Sequence, residues 1–172
     1  MRASLVDRAP IERLLLLSGA IRAGLIDALQ RDGAHTAADV AAVAGADARA
    51  TTIVLEALVA EAVVEKLDAH GAQLYRLSDE GRAHLVDDGP DLERNQLLHL
   101  ANRVRGWLEL PEVIRNGRPL PKDPAKRDLR TMVTAMGERE LEILEEVVER
   151  CLTYAGRIRS MIDIGGAVGH VA

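Results

Sequence analysis

No phenylalanine occurs in the 172 residues, and the aromatic side chains are limited to Trp107, Tyr75 and Tyr154. Sheet-rich cores lean on aromatic and β-branched side chains, whereas Ala and Leu favour close-packed helices. Apolar residues still make up 48% of the chain, so a sizeable core of the helical kind is expected. Cysteine is almost absent. Cys151 alone cannot form an internal disulfide or a cysteine zinc site, and its neighbours place it on the apolar side of a helix. The five histidines, His35, His70, His84, His99 and His170, lack metal-ligand spacing, so no metal centre is expected. Basic excess is missing too. A formal charge of −5 leaves no electrostatic footprint for nucleic acid or an anionic membrane. Nor is there a long apolar run: Leu14 to Leu17 is hemmed in by Arg8, Glu12, Arg13 and Arg22, too short for a bilayer span or a signal peptide. A soluble, cytoplasmic protein is the expectation.

What is present is helical periodicity. Ile11, Leu14, Leu15, Ser18, Ile21 and Leu25 keep helical spacing over Pro10 to Ala23, with Leu16 and Leu17 outside that stripe. A helix apolar on more than one face needs cover on two sides, which predicts a partner subunit. Leu25 to Leu29 reads as a further short helix. Thr36 and Asp39 form a capping box, and Gly45 stands where a helix end favours a left-handed residue. Asp47 starts the next helix, with Ile53, Val54, Ala57 and Leu58 expected on its inner side. Val63 to Leu67 and Gln73 to Leu77 alternate as strands around Asp68 to Ala72, and Ser78 caps a helix ending at Leu85. Helix, helix, helix, hairpin, helix is the order of a winged helix-turn-helix.

Beyond the connector Asp88-Gly-Pro90, helices are expected from Asp91 to Asn116, with Pro111 opening a new turn. Asp123-Pro124 predicts the start of a helix with Leu129, Met132, Val133 and Met136 inward. Glu138 to Tyr154 follows, its apolar stripe running Leu141, Leu144, Val148 and Cys151/Leu152. The last stretch is different in kind. Met161 to Ile164 reads as a buried strand that stops at Gly165-Gly166, with Gly169 beyond and a helix beginning near Val168. Such a turn brings backbone close to a ligand, and a helix start offers N–H groups to an anion. Asp163 would serve the ligand or cap the turn. A tight turn with no ligand remains the alternative.

Catalytic groups do not stand out. Glu142, Glu145, Glu146 and Glu149 fall on the polar side of their helix, and no Ser-His-Asp set is present. Trp107, Met132 and Met136 are candidates for an apolar substrate pocket, with ordinary packing as the alternative. A DNA-reading helix must bring Lys or Arg to phosphates. Ala46 to Lys66 carries Arg49 and Lys66 against Asp47, Glu56, Glu61 and Glu65, and the wing tip is not basic, so a scaffold is expected there.

Taken in order, these segments resemble the front half of S-adenosylmethionine-dependent O-methyltransferases of the plant caffeate type and their bacterial relatives. Ala20 to Leu29 looks like the family's first helical segment, and Thr36 to Leu58 like its helix-turn-helix. Tyr75-Arg-Leu-Ser-Asp-Glu-Gly-Arg82 is similar to its wing, and Trp107 to Pro119 with Ala135-Met136 to its linking helices. Asp163-Ile-Gly-Gly-Ala-Val-Gly169 resembles methyltransferase motif I, Asp/Glu-x-Gly-x-Gly-x-Gly, with Ala167 replacing the middle glycine. Ala62 stands where relatives carry glycine before the wing strand.

The resemblance implies a mainly α chain: a winged helix-turn-helix dimerisation domain (1–89), linking helices (90–157), and the first strand of a truncated Rossmann-like methyltransferase domain (158–172). It implies S-adenosyl-L-methionine as cofactor, approached by Asp163, Gly165, Gly166, Ala167 and Gly169, a homodimer, and a small hydroxylated substrate. The family's ribose-holding acid and catalytic His have no counterpart in these residues, so no catalytic residue is assigned. The 172-residue chain is expected to be inactive, and not to bind the cofactor unaided. Two rivals are a winged-helix transcriptional regulator with a helical effector domain, and a standalone partner that dimerises with a full-length methyltransferase.

Overall fold

The computed structural model describes residues 9–69, 71–89, 91–119, 128–137 and 141–155, together with 160 and 162. Helices dominate: α1 (Ala9–Arg22), α2 (Leu25–Leu29), α3 (Ala37–Ala44) and α4 (Ala48–Ala60) lead into strands β1 (Val64–Ala69) and β2 (Ala72–Leu77), then α5 (Asp79–Leu85). The strands pair antiparallel from Val64 opposite Leu77 to Ala69 opposite Ala72. His35 adds a one-residue third strand, exchanging both backbone hydrogen bonds with Tyr75 at 2.9 and 2.8 Å. Further helices are α6 (Arg94–Leu108), α7 (Leu110–Asn116), α8 (Leu129–Gly137) and α9 (Leu141–Ala155). The expected order of helices, a hairpin, a helix and then further helices is the observed one.

Local signals placed most boundaries correctly. The Thr36–Asp39 capping box forms in both directions, and Gly45 ends α3 at φ 65. Asp47 accepts from Ala50 N at 2.8 Å to open α4. Ser78 Oγ accepts from Gly81 N at 2.9 Å and lies 2.8 Å from Ala62 O, so one hydroxyl caps α5 and ties it to the turn before β1. That turn is a Schellman-type stop for α4: Ala62 N reaches Val59 O and Val63 N reaches Leu58 O, both at 3.0 Å. Ala62 holds the left-handed position at φ 59. An alanine therefore holds, under strain, a turn position that favours glycine.

The core joins α1 through α5. Leu17, Ile21, Leu25, Ile26, Leu29, Val40, Leu55, Leu58, Val64, Tyr75, Leu77 and Leu85 are all buried in one cluster. Two faces differ from the sequence reading. On α4 the inner side is Thr51, Leu55 and Leu58, while Ile53 is 57% exposed. Ile53 lies about 200° around the helix from Thr51, and both stripes were apolar enough to serve. On α1 the core side is Leu17, Ser18, Ala20 and Ile21, whereas Ile11 and Leu15 are exposed.

α6 leaves the domain and packs along α1 and then α8. Arg94 bridges to Asp27 at 2.6 Å, and Arg22 donates to Asn102 at 2.9 Å. Pro111 opens α7 after a break at Glu109, as expected. α8 begins later than its sequence suggested. Asp128, not Asp123, caps it by accepting from Thr131 N at 3.0 Å; the Asp123-Pro124 pair lies outside the described residues. On α9 Val148 is half-buried, while Cys151 and Leu152 of its expected apolar stripe are exposed.

Candidate functional site

Two surfaces carry chemistry beyond core packing. The first is the outer side of α4 and the wing, where a nucleic-acid reader would present cations. Here Lys66 Nζ donates to Glu56 Oε1 at 2.5 Å, and Tyr75 Oη donates to the same oxygen at 2.6 Å. The hydrogen bonds from Lys66 and then Tyr75 hold the Glu56 carboxyl below its ordinary range. Burial, followed by the hydrogen bond to Glu56 and its charge, pushes Tyr75 up to about 12. Arg76 pairs with Glu65 at 2.7 Å. These wing cations are answered within the chain, so the cluster acts as a brace between α4 and the hairpin rather than a phosphate seat.

The second surface is an apolar groove of about 600 Å³ where α1, α5 and α6 meet. Ile11, Leu14 and Leu17 form one wall, Leu85 the floor, and Leu97 and Leu100 the other wall. Its polar rim holds Arg13, Glu80, His84 and Glu93. Arg13 is paired with Glu61 at 3.4 Å. His84 stands between two carboxylates, its Nε2 3.9 Å from Glu80 and its Nδ1 3.5 Å from Glu93. Sequence reading found the unmatched apolar residues of α1 but not this groove. The groove needs α5 and α6 brought together by the connector, whose Asp91 N and Glu93 N bond back to Ala83 O and His84 O at 3.2 and 2.9 Å.

The sequence-derived site residues are placed unevenly. Asp163, Gly165, Gly166, Ala167 and Gly169 lie outside the described residues. Trp107, near the end of α6, is 64% exposed and Met136 on α8 is 51% exposed, while Met132 is half-buried. They share the packed pair α6 and α8. No cluster of three or more His, Cys, Asp or Glu fit for a metal occurs among the described residues. No described helix is long and apolar enough to cross a membrane.

Residues 16–87 match the family model described as the O-methyltransferase dimerisation domain. The matched segment is less than half of the chain. It takes in α2 to α5, the hairpin and the core side of α1, and the helices after it continue the same architecture. PigF, solved with SAH, superposes at a TM-score of 0.73 with 23% identity, over 97% of this chain and 54% of its own. N,N-8-amino-8-demethyl-D-riboflavin dimethyltransferase from Streptomyces davawensis follows at 0.70 and 22%, over 95% and 51%. An O-methyltransferase family protein from Burkholderia thailandensis gives 0.65 and 23%, over 87% and 46%. At these identities the likeness shows a shared fold. The chain spans about half the length of the solved structures it matches. No curated protein sequence matches.

Proposed function

We propose that the chain supplies the dimerisation domain (1–89), the linking helices (90–157) and the opening of the cofactor-binding domain (158–172) of an S-adenosylmethionine-dependent methyltransferase. The observation that carries this reading is the continuous one: a dimerisation domain followed by α6 to α9 in the arrangement of structures solved with SAH or SAM. Bound S-adenosylmethionine supplies an electrophilic methyl group. Asp163, Gly165, Gly166, Ala167 and Gly169 are the residues of this chain assigned to its turn, with Ala167 narrowing the approach of the methionine end. Trp107, Met132 and Met136 are assigned to the wall of an apolar acceptor pocket, and the acceptor is a small molecule. The family description points to oxygen as the methylated atom. No catalytic residue is assigned.

The protein acts as a homodimer in the cytoplasm, with α1 at the interface and α6 contributing. Support comes from Ile11 and Leu15 on α1 and from Leu100 on α6, all large apolar side chains left open on the domain's own surface. Sedimentation equilibrium and titration of a labelled duplex at low salt test this against the regulator reading. A dimer at micromolar concentration with no salt-dependent duplex binding is expected. Sub-micromolar binding to duplex that falls steeply with salt would overturn it. Calorimetric titration with SAH checks the division of labour: a flat trace is the outcome expected of these 172 residues alone. Saturable binding tighter than about 100 µM would show that the dimerisation half builds a cofactor site itself.

A further inference from the structure

We infer that Asn102 is a positioning residue for the acceptor pocket. Through Arg22 on one side and Asp128 on the other it fastens α8 to α1 and α6, so that Met132 and Met136 are held in place before cofactor or acceptor binds. The inference rests on the assignment of Trp107, Met132 and Met136 to that pocket, and adds what fixes their arrangement. Three observations carry it.

The first is a run of polar side chains that joins three helices. Arg22, the last residue of α1, donates from Nη2 to Asn102 Oδ1 at 2.9 Å. Asn102 is hydrogen-bonded in turn to the carboxylate of Asp128, on which the charge of Arg22 also acts. Since the Asn102 oxygen accepts from Arg22, its amide nitrogen is the atom that donates to Asp128. A carboxamide can accept on one side and donate on the other, whereas a carboxylate or an ammonium group at this position could serve only one of the two neighbours.

The second is where this link ends. Asp128 accepts from Thr131 N at 3.0 Å through its side chain and from Met132 N at 3.2 Å through its backbone oxygen, so the residue that Asn102 holds is the one from which the first turn of α8 hangs. The third lies toward the far end of the same helix. Ala135, about two turns beyond Asp128, is 3% exposed, and α6 is an element on which α8 packs. Met132 stands between these two fixed points and Met136 directly after the second. A hydrogen bond at the surface contributes little by itself, because water competes for each group. Here the link fixes the start of a helix of 9 residues, too short to keep its shape unaided, so loosening it frees the whole wall that carries both methionines.

Two measurements on the full chain test this: hydrogen exchange of the α8 amides, and quenching of Trp107, the sole tryptophan, by naphthol as a hydroxylated aromatic probe. The wild type is expected to bind the probe saturably below about 1 mM. Asn102→Asp keeps a partner for Arg22 but sets a second carboxylate against Asp128. It is expected to lower α8 protection about tenfold and to weaken probe binding about fivefold, with unchanged helical circular dichroism. Adding Asp128→Asn keeps a cap on Thr131 N and lets the amide at 128 donate to the carboxylate at 102. The double variant is therefore expected to recover both values to within about twofold. Wild-type protection in Asn102→Asp overturns the link, and a double variant as loose as the single one overturns its geometry. Loss of protection without loss of probe affinity overturns Asn102 as a positioning residue. A wild type with a protected α8 that binds no naphthol overturns the acceptor-pocket assignment itself.

Discussion

Residues 9–85 and residues 94–155 are similarly helical and similarly rich in Leu and Val, yet they treat those side chains in opposite ways. In the first region they close on one another, and every buried apolar residue among those described, except Ala135, lies between Leu17 and Leu85. In the second, Trp107, Leu108, Ile114, Leu129, Met136, Val147 and Leu152 are exposed. The difference is one of geometry. A helix-turn-helix with a hairpin wraps its elements around a centre, so each helix finds cover on two sides. A series of helices that pack pairwise, α1 on α6 and α6 on α8, covers one side of each and leaves the other open. An amphipathic stripe announces a need for cover without saying whether the same domain provides it.

The comparison breaks first at single Leu-to-Ala changes. Leu58→Ala, in a fully buried position, should cost about 2–5 kcal/mol, whereas Leu108→Ala, 75% exposed, should stay within about 0.5 kcal/mol. Urea denaturation at one fixed protein concentration measures both, since a dimer's stability depends on concentration. Equal losses would mean that the second region has a core of its own in solution.

Gly81→Ala comes next. A Cβ there would lie 2.3 Å from Val63 O, so α5 must shift from the hairpin, at a cost of about 1–3 kcal/mol. Gly106→Ala on α6, where a Cβ meets nothing, is the matched control and should be neutral or slightly stabilising. A harmless Gly81→Ala would show that the tight seam between α5 and the hairpin can give.

Ala62→Gly should stabilise by about 1 kcal/mol, because alanine at φ 59 carries a left-handed penalty that glycine lacks. Thermal denaturation reads the gain, and a loss would show that chain entropy outweighs the strain.

The smallest effect is in the pH profile. Glu56 is depressed by Lys66 and Tyr75, so its contribution is present above its ordinary value of 4.5 and is lost as pH falls through the folded value. Tyr75 is raised, so its contribution holds below its ordinary value of 10.0 and is lost as pH rises through about 12. Glu56→Gln should therefore flatten the acid limb without moving the neutral plateau much. An acid limb identical to wild type would assign the loss to Asp39 and Asp128, which are also depressed, by hydrogen bonds from Thr36 and Thr131.

Much of the first region was legible in the chain because its signals are local. Thr36 with Asp39, Gly45, Asp47 and Ser78 each act within three or four residues, and each forms the cap its spacing implies. The misreadings fall where two local answers tie. Ile53 and Leu55 both begin plausible stripes on α4, and only the packing of α3 and β1 selects Leu55. Asp123-Pro124 and Asp128 are both credible starts for α8, and Asp128 is the one that caps it.

Composition, periodicity and capping chemistry by themselves determined the helical class and the order of elements. The order of weak motifs from Ala20 to Gly169 resembles that of methyltransferases, and the family model matches its front part over residues 16–87. Tertiary structure alone decided which α1 and α4 faces turn inward. It also decided that Glu56 joins Lys66 and Tyr75 across 10 and 19 residues, and that Arg13, His84 and Glu93 come to rim one groove. Those contacts join residues far apart in the chain. Their loop-closure cost is met only once the core has formed, so no short stretch of sequence encodes them.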